Sequence, residues 1–465
     1  MGKKKSLNNI YYHLPVWLQN ILISAYGLYI NQIRHGKKFH QALEKVESNL
    51  ALSSVEFDQY LVDQLRDLVG LAKAHVPYYR ERFKDIEPQQ IQTLADIEKL
   101  PLLEKQSIRE NPIGLVDERE DPEKLHVIHT TGTTGTPLNI YCTAEARKLN
   151  YAFFSRYLRQ VGVTYQDSRV TIGGRIVVPS WQERPPFWRT SYFQKNHLFS
   201  SYHLSDKWLP FYIDQLKSIK PSYIDAYPSS VYTIAKYADD HDNSLSGITE
   251  AVVTSAETLY ENQRALIEKQ FDCRVYDQYG AAEMCVFIAQ CDHGSYHVHS
   301  DCAIVEFLDE DAKPAAAGEE AEVVCTGLVN RTMPLIRYRI GDKVVVGDNN
   351  CKCGSHFPTV ERVIGRCDDY ILTPEGNKIG RLSPVLKGFP IKEAQYRQSI
   401  VEEVDVLLVK DVGYGETTEK EIVNELAKRL GNKIIINVKY VDKIERSKGM
   451  KLKSIVSSLK LSDPP

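Results

Sequence analysis

The sequence predicts a layered α/β protein with an antiparallel, strand-rich subdomain and a small α+β domain at its C-terminal end. The chain has 465 residues, more than one hydrophobic core usually serves, so two or three domains are expected. Strand-like apolar runs alternate with helical patterns first, and strands alone follow Cys302. We therefore predict an N-terminal domain over residues 1–365, with the strand-rich subdomain at about 290–364, and a C-terminal domain over 366–465.

Individual elements follow from apolar spacing and turn signals. Helical spacing predicts helices over residues 57–84 (with an end near Pro77), 212–219 and 261–271. Short apolar runs predict strands at 125–128, 170–178 and 251–254, and in the strand-rich part at 303–308, 321–325, 335–338 and 343–346. The tail is predicted as strand, helix and strand at 404–409, 419–430 and 434–440.

Composition excludes several classes of protein. Lys and Arg number 58 against 61 Asp and Glu, which argues against nucleic acid as the main partner because phosphate binding needs a basic surface. Nine cysteines in a long chain without a secretion signal predict a reduced, cytoplasmic protein. The apolar stretch at residues 14–30 is interrupted by Gln19, Asn20 and Ser24, so we expect a packed helix that does not span a membrane. An amphipathic membrane-surface anchor is the alternative.

A Thr/Gly-rich loop follows the strand predicted at residues 125–128. Two glycines let its backbone approach an anion, and its hydroxyl and N–H groups can donate to phosphate oxygens. It is not a Walker A motif, because no Gly-Lys-Ser/Thr sequence follows. It predicts a phosphate-binding loop, with a flexible turn as the alternative. The loop consists of Thr130, Thr131, Gly132, Thr133, Thr134, Gly135, Thr136 and Pro137.

Two further segments carry groups suited to a nucleotide. Tyr279 and Glu283 lie in a Tyr-Gly-x-x-Glu sequence, where the ring can stack on a base and the carboxylate can hold Mg²⁺. Asp342 ends a Tyr-x-x-Gly-Asp sequence and can bond ribose hydroxyls, while Arg366 can add a charged contact. Ordinary strand-end sequence and a solvated ion-pair cluster are the alternatives.

A basic segment at residues 445–453 is the last of these motifs. A mobile ammonium group there can neutralise charge on a transferring phosphoryl group. Its candidate lysines are Lys448, Lys451 and Lys453. A solvated basic tail is the alternative.

The order of these segments resembles that of adenylate-forming enzymes. The similarity is greatest to their phenylacetate–CoA ligase-like branch, especially the capsular polysaccharide biosynthesis type, and it spans nearly the whole chain. Stretches at residues 186–189, 201–205 and 226–229 resemble that type as well. The resemblance implies a large adenylate-forming domain followed by a small mobile domain. It also implies a ligase that uses ATP and magnesium to form an acyl-AMP from a small carboxylic acid, releases pyrophosphate, and then transfers the acyl group.

The resemblance implies a role for each motif. The loop residues 131–135 would hold the β- and γ-phosphates, with Thr134 among the catalytic residues. Ser255, Ala256, Glu257 and Tyr279, with Gly280 beside it, would contact adenine. Glu283 would bind magnesium and act in catalysis. Asp342 and Arg366 would hold the ribose, Asp368 or Asp369 would be the hinge of the C-terminal domain, and Lys451 would be the catalytic lysine of adenylation.

Two departures from the family pattern change these expectations. Leu138 stands where much of the superfamily has a lysine after the loop proline, so phosphate binding would rely more on backbone and hydroxyl groups. The late motif reads Gly-Met-Lys, and an ungapped match to Gly-Lys would put Met450 at the lysine position. We choose Lys451 and keep Lys448 and Lys453 open.

A set of Cys and His residues predicts a structural zinc site. Cys291, His293 and His297 follow the Tyr-Gly-x-x-Glu motif, and Cys351 and Cys353 lie in a Gly/Asn-rich turn. Related ligases carry a similar Cys-x₅-His plus Cys-x-Cys set, which implies Cys291, His297, Cys351 and Cys353, with His293 as the alternative histidine. Unrelated thiols beside solvated histidines are the other interpretation.

The acceptor of the acyl group is left open. Coenzyme A, a carrier-protein thiol, or an amine of a surface polysaccharide precursor would each fit, and a non-catalytic nucleotide-binding relative is the third hypothesis. We expect no nucleic acid partner and no membrane partner beyond the helix alternative above, and a homodimer is compatible with the sequence.

Overall fold

A computed structural model gives the fold. It describes residues 11–129, 138–179, 181–257, 259, 261–365, 370–376, 378–380, 382–386, 389–411, 413–431, 433–442, 444, 455–457 and 459. Two compact units are formed, residues 1–128 with 140–365 and residues 129–139 with 366–465. The predicted division into residues 1–365 and a mobile domain at 366–465 stays a prediction.

Helices and strands alternate before residue 366. The helices are α1 (Val16–Arg34), α2 (Lys37–Ser48), α3 (Ser54–His75), α4 (Pro77–Arg82), α5 (Lys105–Glu110), α6 (Ala144–Gln160), α7 (Leu209–Ile219), α8 (Pro228–Asp240) and α9 (Glu261–Phe271). The strands are β1 (His126–His129), β2 (Asn139–Cys142), β3 (Arg169–Gly173), β4 (Trp188–Ser191), β5 (Asn196–Ser200), β6 (Tyr223–Ala226), β7 (Ala251–Ser255), β8 (Arg274–Gly280), β9 (Phe287–Gln290), β10 (Tyr296–Val298), β11 (Ala303–Leu308), β12 (Glu320–Gly327), β13 (Tyr338–Val346) and β14 (Thr359–Gly365).

One sheet of 12 strands organises the first unit, in the order β11-β12-β13-β14-β10-β9-β8-β7-β6-β3-β5-β4. The neighbours β5, β3, β6, β7 and β8 run parallel to one another. From β8 to β11 every pairing is antiparallel, and β4 is antiparallel to β5 at the other edge. The sheet therefore has a parallel half and an antiparallel half.

The parallel half is buried on both faces. Its strands are short apolar runs such as Ala251–Ser255, because parallel strands are covered on both sides by crossover helices. Val252 and Ile172 are fully buried in one cluster with Ile213 of α7 and Ile234 of α8. This core fixes where each parallel strand ends, and hence where the following loops begin.

The second unit packs a helix on a small sheet. Its elements are β15 (Tyr370–Leu372), β16 (Lys378–Gly380), β17 (Ile391–Ile400), β18 (Glu403–Lys410), α10 (Glu416–Leu430), β19 (Ile435–Tyr440) and β20 (Ile455–Ser457), with the sheet order β19-β18-β17-β20. Ile422, Leu426 and Leu430 recur every four residues, so one face of α10 is buried. Alternate residues of β18, such as Val404 and Val406, face the same core.

The predicted layered α/β fold class is confirmed, and several element boundaries are corrected. The strand predicted at 170–178 ends at Gly173. The strands predicted at 335–338 and 343–346 are one strand, Tyr338–Val346, which begins only after Arg337 because Arg337 has a left-handed φ of 49°. Strands β4 and β5 were not predicted, since their polar residues hide the apolar pattern. No helix within the described residues has the length and apolarity needed to cross a membrane.

Candidate active site

Two neighbouring parallel strands end at the same edge of the sheet and carry predicted site residues. β7 ends at Ser255, which pairs with Gln278 of β8, and β8 ends two residues later at Gly280. Residues 256–257 and 281–283 therefore leave the sheet side by side. In open α/β sheets, ligands bind at this carboxyl edge.

The turn after β7 is held by the start of a helix. Ala256 has a left-handed φ of 71°, which turns the chain sharply at the strand end. The Glu257 Oε2 atom then accepts a hydrogen bond from the backbone N–H of Ser229, 3.2 Å away in the first turn of α8. A carboxylate is stabilised there by the unpaired N–H groups of the helix start. The Glu257 side chain of the segment predicted to contact adenine is thus anchored to the start of α8.

A direct hydrogen bond joins two of the predicted nucleotide-binding residues. The Tyr279 hydroxyl donates to Asp342 Oδ2 at 2.6 Å, although 63 residues separate them. Burial raises the pKa of Tyr279, and the negative charge of Asp342 and the bond to it raise it further, so the phenol stays protonated and donates. The β8 end and strand β13 therefore present one aromatic ring and one carboxylate together.

Glu283 lies in the turn after β8 and is 7% exposed. Its Oε1 atom is 3.5 Å from the hydroxyl of Tyr338, the first residue of β13. Met284 follows with a left-handed φ of 57°. The turn thus brings a carboxylate next to the strand that carries Asp342.

A cavity of about 260 Å³ lies beside this turn. It is lined by Ile128, Arg147, Asn150, Tyr151, Ala281, Ala282 and Met284. The Arg34 guanidinium, at the end of α1, lies 4.5 Å from the centre of the Tyr151 ring. Burial lowers the pKa of Arg34, the Tyr151 phenol opposes this, and the positive charges of Arg175 and Arg147 lower it further. Several guanidinium groups therefore share the neighbourhood of one small cavity.

Sequence reasoning missed most of this cavity. The motif neighbourhood in the sequence offers Arg175, Trp188, Tyr227 and Ala281 as pocket candidates, and of these Ala281 lines the cavity. Arg147 and Tyr151 are four residues apart on α6, so they lie on one helix face. That spacing, soon after the Thr/Gly loop, was the sequence signal that could have identified them as cavity residues. Trp188 packs instead in the core, with its ring centre 5.4 Å from that of Phe199.

Some predicted site residues lie outside the described residues. They are Thr130, Thr131, Gly132, Thr133, Thr134 and Gly135 of the loop, Arg366, Asp368 and Asp369, and Lys448, Lys451 and Lys453. Their roles stay predictions.

Two motifs that resembled the family pattern have structural contacts. His203 Nδ1 lies 2.8 Å from Ser200 Oγ, and its ring stacks on Phe187 with centroids 4.5 Å apart. Gly174 packs under Tyr227, where an added Cβ would come within 2.7 Å of the Tyr227 hydroxyl. Both arrangements fix the strand ends near the carboxyl edge.

Asp277 is a buried acid that sequence reasoning did not single out. On β8 it accepts hydrogen bonds from Thr254 Oγ1 at 2.6 Å and from the Tyr296 hydroxyl at 2.8 Å. Burial raises its pKa to about 6, although those two bonds act in the opposite direction. It links β7, β8 and β10 behind the site.

The candidate metal ligands Cys291, His297, Cys351 and Cys353 come together, with their ligand atoms all within 4.8 Å of one another. The Cys291 and Cys351 sulfurs are 3.6 Å apart, and Cys353 Sγ is 3.3 Å from His297 Nε2. Tetrahedral zinc with Zn–S bonds of about 2.3 Å places two sulfurs about 3.8 Å apart. The spacing of the donors therefore fits such an ion.

Backbone contacts orient these ligands. His297 Nδ1 lies 3.1 Å from the carbonyl oxygen of Phe357, which directs Nε2 towards Cys353. The N–H groups of His293 and Ser355 point at the Cys291 and Cys353 sulfurs, 3.4 and 3.5 Å away. The His293 side chain is about half exposed, with Nε2 4.0 Å from Asp292 Oδ1. Of the two alternative histidines, His297 is the one in the cluster.

Comparisons with known proteins agree with this architecture. The family described as the CapK C-terminal domain matches residues 371–458. The chain is 27% identical to the CapK protein of Staphylococcus aureus over 98% of this chain and 100% of that protein. It is 24% identical to a phenylacetate–coenzyme A ligase of Thermus thermophilus over 67% of this chain and 70% of that one.

Solved structures show the same fold. A 2-hydroxyisobutyryl-CoA ligase in complex with 2-HIB-AMP and CoA superposes with a TM-score of 0.60 at 18% identity, covering 88% of this chain and 91% of that one. The same ligase in its postadenylation state gives a TM-score of 0.57, with the same coverage. These findings confirm the predicted resemblance: the chain is similar over nearly its whole length to CapK, over two thirds of it to a phenylacetate–coenzyme A ligase, and in fold to a solved CoA ligase.

Proposed function

We propose that the protein is an ATP-dependent carboxylate ligase that forms an acyl-AMP, releases pyrophosphate, and transfers the acyl group to a thiol or amine. The observation that carries the proposal is the hydrogen bond between Tyr279 and Asp342 at the carboxyl edge, with Glu283 in the adjoining turn. These are the groups that the family pattern assigns to adenine, ribose and magnesium. The names of the related ligases support the same activity.

In the first half-reaction, the substrate carboxylate attacks the α-phosphorus of ATP. Both reactants are anions, so the protein must align them and offset their charge. Tyr279 and Asp342 hold the nucleoside, and the Tyr279–Asp342 bond fixes the carboxylate for ribose hydroxyls. Glu283 is a hard oxygen ligand and fits Mg²⁺, which would supply charge neutralisation at the phosphates. Lys451 would add a second positive charge.

The cavity beside the β8 turn is the proposed acyl site. Its volume of about 260 Å³ favours a small acid. Arg147 in its wall and Arg34 over Tyr151 give it a positive, polar character, which favours an acid with an additional polar or anionic group. A pyrophosphate-exchange screen should therefore find small hydroxy, keto or dicarboxylic acids ahead of phenylacetate and fatty acids.

Two acceptors of the acyl group fit the proposal, coenzyme A and an amine. The phenylacetate–coenzyme A ligases among the relatives favour coenzyme A. The match to CapK covers 98% of this chain and 100% of that protein and has the higher identity. The capsular polysaccharide biosynthesis type that the motifs resemble favours the amine of a surface polysaccharide precursor. AMP release that depends on coenzyme A, as against an amino sugar, distinguishes them.

The test of the proposed function is ATP–pyrophosphate exchange with purified protein across a panel of acids. We expect exchange with at least one acid, and Lys451→Ala should abolish it while leaving transfer from supplied acyl-AMP largely intact. A chain that binds ATP but exchanges pyrophosphate with no acid would contradict the proposal and favour a non-catalytic relative. Lys420→Ala, at an exposed lysine of α10 with no proposed role, is the matched control.

We also propose that Cys291, His297, Cys351 and Cys353 bind a structural zinc ion. Four protein ligands close the tetrahedron, so the ion would join the β9–β10 turn to the loop before β14 and take no part in adenylation. Metal analysis should give about one zinc per chain. Cys351→Ser should lose the zinc and lower the melting temperature, whereas Cys273→Ser, outside the cluster, should keep it. Full retention of zinc in Cys351→Ser would contradict the assignment.

A further inference from the structure

The N-terminal helix α1 packs with its polar side inward. Gln19, Ser24 and Gly27 are its buried residues. Gln19 Oε1 accepts from Arg189 Nε of β4 at 2.6 Å, and Ser24 Oγ accepts from the N–H of Tyr192 at 2.9 Å. At Gly27 an added Cβ would come within 2.4 Å of the Ser191 hydroxyl. Polar contacts and close backbone approach thus fix this helix on the edge of the sheet.

The opposite face of α1 is apolar and exposed. Trp17, Tyr26 and Tyr29 are 63%, 64% and 58% exposed, and apart from Gln32 the rest of the face is aliphatic. The large aliphatic residues are Ile21, Leu22, Leu28 and Ile33. Surface helices normally bury such residues and expose the polar ones. This helix does the reverse, so its apolar face is available for a partner outside the chain.

The apolar surface continues onto neighbouring loops. Tyr192 and Phe193, in the β4–β5 turn beside Ser24, are each 64% exposed. Exposed Trp181 lies against the ring of His13, with centroids 5.3 Å apart, just before α1. Aromatic side chains at such positions suit the boundary between water and lipid, since their rings are partly apolar and partly polar.

The charge of this region is opposite to that of the whole protein. Residues 1–43 contain no Asp or Glu, while the complete chain has a net charge of −3. The basic residues in the described part of that segment are Arg34, Lys37 and Lys38, while Lys3, Lys4 and Lys5 lie outside the described residues. Residues 174–195 contain one acid, Glu183, and, besides the buried Arg189, three basic residues, Arg175, Arg184 and Lys195. An apolar surface in a basic region complements an anionic lipid surface.

We propose that α1 and the β4–β5 turn dock the protein on the surface of an anionic membrane, with the helix lying in the plane of the interface. A second copy is a poorer occupant, because it would bring two basic regions together. The helix does not need to leave the protein to bind, since its polar contacts to β4 face away from the lipid. Because α1 ends at Arg34 beside the cavity, docking would hold the proposed acyl site within one helix length of the lipid.

The test is vesicle sedimentation with the full chain. We expect binding to vesicles of phosphatidylglycerol with phosphatidylcholine, little binding to phosphatidylcholine alone, and weaker binding at high salt, where charge is screened. The triple variant Trp17→Ser, Ile21→Ser, Tyr29→Ser should bind these vesicles at least about tenfold more weakly than the parent. The control variant Leu50→Ser, Val55→Ser, Ile113→Ser removes exposed apolar residues elsewhere and should bind like the parent.

Circular dichroism and thermal melting show whether each variant keeps its fold. Because the substituted side chains are exposed, we expect both variants to keep it. Absence of binding to anionic vesicles, or equal binding of the patch variant, would overturn the proposal. A concentration-dependent dimer of the parent that the patch variant loses would assign the surface to a second copy. Pyrophosphate exchange in solution is expected to be the same for parent and variant, so this outcome is independent of the ligase proposal.

Discussion

The two halves of the 12-stranded sheet differ in where their polar groups lie and in what those groups contact. In the parallel half, apolar strands are buried under helices, and the polar groups lie where the strands end, at Ser255 and Gly280. In the antiparallel half, polar and thiol groups join the strands themselves. Examples are the Cys/His cluster and the buried ion pair of Arg156 with Asp301 beside β11. Substitutions among the groups that meet at the carboxyl edge should therefore change chemistry, whereas substitutions of buried polar groups away from that edge should change stability.

The largest expected effect concerns stability. Arg156 and Asp301 are almost fully buried, with Nη1 and Oδ2 2.7 Å apart, and Arg156 also bonds the Val46 carbonyl oxygen and His299. Asp301→Ala leaves a buried guanidinium without its counter-charge, so we expect a loss of about 3–5 kcal/mol in the free energy of unfolding. Urea unfolding measures it. Glu145→Ala, which breaks the exposed pair with Lys38, should cost under about 1 kcal/mol; equal costs would contradict the argument.

The next effect concerns catalysis at the parallel edge. Glu283→Gln keeps the shape of the side chain but removes the charge proposed to hold magnesium. We expect pyrophosphate exchange to fall about 10²–10³-fold, because charge stabilisation at the phosphates is lost. Exchange at rising magnesium concentration should recover part of the rate. Glu310→Gln, on an exposed loop, is the control, and a Glu283→Gln variant with parental exchange would remove Glu283 from the site.

The third prediction uses the pH dependence of stability. In the folded protein the pKa of Asp277 is about 6, above the usual 3.8, so the folded state holds a proton between pH 4 and 6 that the unfolded state releases. Stability therefore falls as pH rises through this window, and the loss persists above it. Asp277→Asn should abolish this contribution, so the decrease in the free energy of unfolding between pH 4 and 6 should be smaller by up to about 3 kcal/mol. Urea unfolding at several pH values measures it, and parallel curves for parent and variant would contradict the assignment.

The smallest expected effect concerns the Tyr279–Asp342 bond. Tyr279→Phe keeps the ring for stacking but removes the donor that orients Asp342. We expect the KM for ATP in pyrophosphate exchange to rise about tenfold with a smaller change in kcat, because ground-state nucleotide binding weakens. Tyr276→Phe on the same strand, outside this contact, should leave the KM unchanged. A fall in kcat alone would indicate a different role for Tyr279.

Much of the architecture was predictable because it depends on local patterns. The helix over residues 261–271 and the strand over 303–308 have the predicted boundaries, since apolar periodicity and turn residues mark both ends. Strand β4 was not predictable. Its polar residues are satisfied by Gln19 and Asn20 of α1, about 170 residues earlier, and no local signal records that contact.

By itself, the sequence determined the α/β class, the resemblance to adenylate-forming ligases and the types of residue at the candidate site, because those depend on composition, periodicity and motif order. Only the tertiary structure decided which groups meet. The Tyr279–Asp342 bond, the choice of His297 over His293 in the Cys/His cluster, and the outward apolar face of α1 each depend on residues distant in sequence. The physical reason is that burial and partner distance set the chemistry of a side chain, and both are properties of the folded chain.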